Sequence, residues 1–451
     1  MQNISNSLFI LIIFSSSLFA QISTDGTLGP QMPLLGPDYQ IGAELGQQHG
    51  GNLFHSFQYF NLRHPEKATF AGPNNVQNII SRVTGGNRSD IDGLIRSTIP
   101  NTNMYFLNPY GIFFGPNAQL DVQGSFHAST ADYLRLEDGG YFAARYPSDS
   151  VLTVAPVKAF GFLTEYPESI KITDSFLRVP QQQTLSMIGG DIFIQDGTLF
   201  ASSGQINLVS IASEREMVFK NSDFSIHAPK LGNIEIQQSS TKAYQEKFEN
   251  TPFYDFPPAN IDVSGLDISG LDAGGQIFIR AGNVILNKGE IFADTYEGKG
   301  LGIDIVVDGD LYLIDDAKIT ADNYSYKQGG NISITAQKLR LSQQNLESEN
   351  ANSKISTDTF NFGNAGKIEI NSSILEINSG LIAAVTKNRG NTGGDIIINA
   401  NQITLQNRGF INVATGTVGN AGNITINARE RLSVMESSSI SAGTHRCSGY
   451  S

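Results

Sequence analysis

The sequence predicts an all-β chain: a right-handed parallel β-helix, or solenoid, closed at its start by an N-terminal capping domain. Three observations predict it. A glycine–polar–isoleucine unit recurs at Gly275-Gln276-Ile277, Gly302-Ile303-Asp304 (in "GIDIVV", with the last two exchanged), Gly330-Asn331-Ile332, Gly366-Lys367-Ile368, Gly394-Asp395-Ile396 and Gly422-Asn423-Ile424. The separations are 27, 28, 36, 28 and 28 residues, and a fixed period of this size marks a repeat architecture. Within one period, "GGDIIINANQITLQNRGFINVATG" (393–416) holds three short alternating runs, Ile396/Ile398, Ile403/Leu405 and Ile411/Val413. Alternation puts each run's aliphatic residues on one face of a strand. Composition agrees: Gly is high at 46, charged residues are low at 16%, and Trp is absent. The second half is dominated by Ile, Val, Thr, Asn, Ser and Gly, the residues of strands and turns.

The elements follow in order. Ser7 to Ala20, "SLFILIIFSSSLFA", is an apolar run of 14 residues ending in small side chains. It is too short to span a bilayer comfortably and suits the core of a signal peptide, residues 1–20, cut after Ala20. No Lys or Arg precedes it and Leu18 is larger than usual at its place, so a membrane anchor is the alternative. Residues 21–180 are non-repetitive and richer in aromatics and Pro, and read as a start domain capping the first coil. Such caps matter because open β-edges pair with other chains. Residues 181–451 read as coils of about 28 residues, each needing neighbours to bury its apolar face. The long spacing contains "SQQNLESENANSK", a polar insertion of the kind solenoids place in loops. Residues 236–260, with Pro257-Pro258, read as a loop leaving the helix side. The final "SSSISAGTHRCSGYS" begins another repeat and stops in mid-coil, so that end reads as incomplete.

Charge and residue chemistry narrow the function. With 43 acidic and 30 basic residues the formal charge is -13, a surface that repels nucleic-acid phosphates. The single cysteine, Cys447, permits no internal disulfide. His49, His55, His64, His127, His227 and His445 show no ligand spacing, and His55 and His127 read as packed strand residues. No nucleophile elbow, zinc motif or phosphate loop is present. No catalytic, cofactor or metal residue is therefore assigned. The carboxylates Asp262, Asp267 and Asp272, and the crowd Asp304, Asp308, Asp310, Asp315 and Asp316, are the best chemical candidates. On a β-helix enzyme acting on acidic polysaccharide they would hold Ca²⁺, with Lys or Arg as base. Asp is also a preferred turn residue, and solvated turns are the favoured reading. Lys338, Arg340, Lys387, Arg389, Arg408, Arg429 and Arg431 read as solvated faces, and the Asn-rich turns as stacked ladders.

One stretch has no chemistry yet is distinctive: "NTNMYFLNPYGIFFGPNAQLDVQGSFHAST" (101–130). Two turns, at Asn108-Pro109-Tyr110-Gly111 and Gly115-Pro116-Asn117, bracket Ile112-Phe113-Phe114. Together with "GGNLFHSFQYFNL" (50–62), "NIISRVTGGNRSDIDGLI" (78–95), the start "QISTDGTLGP" and "TLSMIGGDIFIQDGTLFASSGQINLVSIAS" (184–213), it resembles the filamentous haemagglutinin N-terminal domain. That is the two-partner secretion (TpsA-type) domain of exported bacterial adhesins and exoproteins. The resemblance implies a β-helical secretion domain over 21–180, recognised in the periplasm by a partner outer-membrane β-barrel transporter with docking domains. It implies a non-enzymatic chain without cofactors, secreted or displayed on the surface of a Gram-negative-type cell, acting in adhesion on a host-cell or glycan ligand. Carried over by motif, Asn108, Pro109, Tyr110 and Gly111 occupy the family's Asn-Pro-Asn-Gly turn, with Tyr110 in place of the second Asn. Tyr cannot cap a turn as Asn does, which predicts a plain type I turn. The family's Asn-Pro-Asn-Leu motif has no counterpart, and "GGNLFHSF" stands in its place. A β-helix polysaccharide-active enzyme and an inert surface scaffold are the competing readings.

Overall fold

The structure is a computed structural model describing residues 21–218, 230–239, 264–270, 273–343, 353–387, 392–415 and 419–444. The signal-peptide run, most of the 236–260 excursion and of the 342–354 insertion, Asp262, Asp272, His227, Arg389, His445 and Cys447 lie outside the described residues.

Twelve strands stack in parallel on one side of a β-helix, from Asn52–Phe60 through Asn78–Val83, Asn103–Leu107, Phe126–Ser129, Thr184–Gly189, Gln205–Ser210, Gln276–Ala281 and Gly302–Val307 to Ile424–Val434. At the usual inter-strand spacing this ladder is roughly 50 Å long. One inward column runs its whole length: Leu53, Ile79, Met104, Phe126, Leu185, Ile206, Ile277, Ile303, Ile332, Ile368, Ile396 and Ile424 are register partners in turn. The six isoleucines of the sequence repeat are its last members. Rungs therefore continue N-terminally of residue 181 back to Asn52, at spacings the insertions make irregular.

The other sides are equally regular. A second ladder runs from Ser89–Ile91 through Ile112–Phe114, Ile170–Thr173, Ile192–Gln195, Asn233–Gln237 and Asn283–Asn287 to Asp310–Ile314. A third runs from Phe176–Arg178 to Ser439–Thr444. From Asn331–Ser342 onward the first two runs of each coil fuse into a single strand of 11 or 12 residues. The coil at 393–416 thus has two strands where its sequence reads as three runs.

The coils close where backbones touch. A Cβ on Gly366 would lie 1.7 Å from the Gly330 carbonyl oxygen, one on Gly394 1.9 Å from that of Gly366, and one on Gly422 2.1 Å from that of Gly394. Only glycine fits there, which explains the residue that opens these repeats; in the coil at 302 the register shifts the glycine by one, so that Gly302 stands opposite Gln276 and Asn331. At the corner before the third strand, Asp174, Asp196, Lys288, Asp315, Asp316, Ser379, Asn407 and Arg408 take positive φ. Asparagine amides link neighbouring coils, Asn52–Asn78 at 2.9 Å and Asn371–Asn399–Asn427 at 2.9 and 2.7 Å.

The first rung is capped. Asn52–Phe60 pairs in parallel with Asn78–Val83, while its other side takes Ile22–Thr24 and Gly46–His49 antiparallel. A second device leaves the helix after Ser129. Strands Tyr141–Ala143, Tyr133–Leu136, Val157–Phe162 and Arg215–Val218 form an antiparallel side sheet. Its Leu134, Phe142, Phe160, Phe162 and Met217 pack on Phe54, Ile80, Leu107, Ile188 and Val209, which face outward from the rungs. Buried Arg82 pins this second core: it donates to Ser56 Oγ at 2.7 Å and Ser150 Oγ at 2.6 Å, and lies over the Phe142 ring at 4.4 Å.

Candidate functional site

Asn108 to Gly111 form the corner between Asn103–Leu107 on the first side and Ile112–Phe114 on the second. Gly111 N–H donates to the Asn108 carbonyl at 3.1 Å, closing a four-residue turn. Pro109 is its second residue, and Tyr110 keeps an ordinary negative φ, while Gly111 takes φ +105°. That combination is a type I turn leading into a glycine-only conformation. Asn108 is fully buried. Its Nδ2 donates to the Asn87 carbonyl and Ser89 Oγ, both at 3.0 Å, and its Oδ1 accepts the Tyr110 N–H at 2.9 Å. One side chain thus caps its own turn and ties it to the previous coil.

Tyr110 faces the side sheet. The Arg145 guanidinium sits 5.2 Å from its ring centroid and Nη2 donates to the Pro109 carbonyl at 3.5 Å. Arg145 is itself held by Asp132, whose carboxylate is buried and accepts both Arg145 Nε and, at 2.6 Å, the Leu163 N–H. The second turn is stapled differently: Asn117 N–H donates to Asp92 Oδ1 at 2.7 Å. Asn52, in "GGNLFHSF", donates to the Thr153 and Ala155 carbonyls at 3.1 and 2.8 Å, fastening the first rung to the side-sheet loop.

The family model described as the TPS secretion domain matches residues 20–251, just over half of the chain. The chain belongs to that family. Among solved structures it is similar to the HMW1 secretion domain from Haemophilus influenzae, with a TM-score of 0.52 and 16% identity over 92% of this chain and 97% of that one. That likeness shows the fold, a parallel β-helix. No curated protein matches the chain. As a TPS secretion domain protein it is a two-partner secretion exoprotein, carried across the outer membrane by a partner transporter. The family match includes the capped first rung, the Asn108–Gly111 corner and the side sheet together.

The other sequence candidates lie elsewhere in this TPS domain protein. His55 is enclosed in the first coil between Phe57 and Phe70, at 6.1 and 5.6 Å, and burial pulls its pKa down to about 4. His127 stacks on Tyr105 at 4.6 Å beneath the side sheet, its Nδ1 2.9 Å from Ser186 Oγ, and burial pulls it to about 3. The crowd of carboxylates does not converge. Asp304 pairs with Arg280 at 2.7 Å, Asp310 accepts the Tyr312 hydroxyl at 2.6 Å, Asp308 is exposed, and Asp315 and Asp316 are positive-φ corners. Among the described residues no group of three or more His, Cys, Asp or Glu is placed to hold a metal ion. Lys338 and Arg340 of the basic set share Glu376, at 2.9 and 3.8 Å, and Lys387 pairs with Asp358 at 2.9 Å.

A carboxylate column that the sequence reading missed stands at the other corner. Asp294 Oδ1 accepts the Asp322 N–H at 2.9 Å, Asp322 Oδ1 the Asp358 N–H at 2.7 Å, and Asp358 Oδ1 the Val385 N–H at 3.0 Å. Tyr296, Tyr324 and Phe360 stack beside it at 5.0 and 4.6 Å. Its signal was present as Asp294-Thr295-Tyr296, Asp322-Asn323-Tyr324 and Asp358-Thr359-Phe360, one triad per coil. Cations gather toward one end: Lys354 lies 3.0 Å from Asp358 and 3.9 Å from Asp322. Burial and the charge of Asp322 raise the Asp294 carboxyl well above the usual range, and burial raises Asp267 to about 6. At Asp358 burial acts the same way, but Lys354 and Lys387 outweigh it and hold the carboxyl low.

Proposed function

We propose that this exoprotein acts in adhesion or surface contact, as a β-helical stalk displayed outside the outer membrane, and carries no enzymatic activity. We further propose that the Asn108-Pro109-Tyr110-Gly111 corner takes part in export. One observation supports the reading above others: the ladder is capped by antiparallel strands at Asn52–Phe60 and extends in parallel from there to Val434. Each coil buries its apolar face against the one before it, so coils can add one by one as the chain emerges from a transporter. Residues 1–20 would direct the first step, across the inner membrane.

The experiment is deletion of residues 21–135 in the full chain, expressed with its partner transporter. Secretion should be lost while periplasmic entry continues; normal surface export of the deletion would overturn the export reading. Adhesion is tested separately, by binding of the exported protein to epithelial cells and immobilised glycans. Failure to bind either would favour an inert scaffold.

A further inference from the structure

The turn at Asn108–Gly111 and the side sheet are joined at one point, and the geometry there is more specific than packing requires. Three loose ends of the side sheet meet at Asp132. Its backbone N–H donates to the Gly161 carbonyl at 2.8 Å, its carbonyl accepts the Ala144 and Arg145 N–H groups at 2.7 and 3.2 Å, and its carboxylate accepts the Leu163 N–H at 2.6 Å. The carboxylate's other oxygen takes Arg145 Nε. With one oxygen held by the Leu163 N–H, the buried carboxylate is itself fixed in place, and its other oxygen anchors the guanidinium at Nε by a charge-assisted bond. The side chain of Asp132 is 1% exposed and that of Arg145 is 27% exposed. The free part of that plane lies against the Tyr110 ring and the Pro109 carbonyl.

We propose that Asp132 and Arg145 are positioning residues for the Asn108–Gly111 turn: a latch that sets the turn in its final shape only once residues 131–163 have folded onto the rungs. Tyr110 is the catch. A ring at this position gives the guanidinium a face to lie on, which a short polar side chain would not. The turn's other tethers run to the coils on either side: Asn108 Nδ2 to Asn87 and Ser89, the Gly111 carbonyl to the Ser89 N–H at 3.1 Å, and the Asn108 N–H to the Ser129 carbonyl at 2.9 Å. The latch therefore separates two states of the corner: bonded to its neighbouring coils, and additionally bonded to the side sheet. For its bearing on export this inference rests on the reading that the corner takes part in secretion.

The test follows hydrogen exchange at the Tyr110 and Gly111 amides in the purified full chain. Arg145→Lys keeps a charge for Asp132 but loses the planar face, so it should fold and still speed exchange at these amides about fivefold or more. Tyr110→Ala should do the same, Tyr110→Phe should not, and the double variant Tyr110→Ala/Arg145→Lys should be no faster than either single one. Amides in Gln276–Ala281 serve as the control and should not move. Unchanged exchange in Arg145→Lys, or additive effects in the double variant, overturns the latch. In cells carrying the transporter, export should slow in Arg145→Lys and Tyr110→Ala and be normal in Tyr110→Phe. Normal export of Arg145→Lys overturns the latch's role in export. Normal export of Asn108→Ala, by contrast, overturns the underlying reading of the corner and leaves the exchange result standing.

Discussion

A single methyl group is more than the corner glycines of the coils can carry. The Cβ of Gly394→Ala would overlap the Gly366 carbonyl at 1.9 Å, whereas nothing lies within 4 Å of a Cβ on Gly443. Gly394→Ala should cost about 3 kcal/mol, because a stacked carbonyl cannot give way without breaking the ladder. Gly443→Ala should change stability by less than about 0.5 kcal/mol. Urea unfolding of the two purified variants compares them, and equal midpoints would contradict the backbone contact. At this scale the sequence shows period but not cause. The repeating Gly-polar-Ile unit is visible in one dimension, while the carbonyl that forbids a side chain belongs to the next coil. Asn108, Pro109 and Gly111 are legible because local turn chemistry makes them so. Asp132 and Arg145 are not: they follow Tyr110 by 22 and 35 residues, and nothing local marks either.

Strands of the first half carry apolar residues on both faces, and the side sheet is the reason. In Asn52–Phe60, Leu53 and Phe57 enter the helix core while Phe54 faces outward into the second core. Ile79 and Ile80 divide the same way in the next rung. Two-sided burial is readable from such near-continuous runs, but the antiparallel strands that cover the outer face are not. Their alternation is short and their partners are distant, as with Val157–Phe162 and Arg215–Val218. Phe160→Ala should destabilise the side sheet by about 3 to 5 kcal/mol, since it empties the centre of a closed core. Limited proteolysis should then cut within 137–156 while the rungs from Gln276 onward stay intact. Cleavage spread evenly along the chain would mean that the side sheet and the rungs unfold as one unit.

At the scale of the whole molecule, the inward column is continuous although the spacing of its members is not. From Asn52 to Gly302 the first-side rungs begin at 52, 78, 103, 126, 184, 205, 276 and 302. Insertions disturb the period without disturbing hydrogen-bond register, so the sequence reveals the regular coils and conceals the earlier ones. The two ends also differ in the charges they bury, which predicts opposite responses to acid. His55 and His127, held neutral at about 4 and 3, lie below the ordinary histidine value of about 6.5. Their contribution is present above that value and lost as pH falls toward 4 and 3, because the unfolded chain takes up protons first. Asp267 lies the other way, raised by burial to about 6, and Asp294 is raised by burial and by Asp322. The Asp267 contribution is complete below the ordinary aspartate value of about 4 and lost as pH rises through about 6; that of Asp294 is likewise present at low pH and lost as its raised carboxyl ionises. Acidification from pH 7 to pH 5 should therefore loosen the first rungs and tighten the coils around Asp267 and Asp294. Each pKa unit is worth about 1.4 kcal/mol, so the Asp267 contribution is on the order of 2 to 3 kcal/mol. Hydrogen exchange, corrected for its intrinsic pH dependence, should show protection falling in Asn52–Phe60 and rising in Gly265–Asp267 and Glu290–Phe292. Asp267→Asn, which mimics the protonated acid, should remove part of the rise. Protection that falls at both ends together would show that acid acts on the β-helix as a whole rather than through these buried groups.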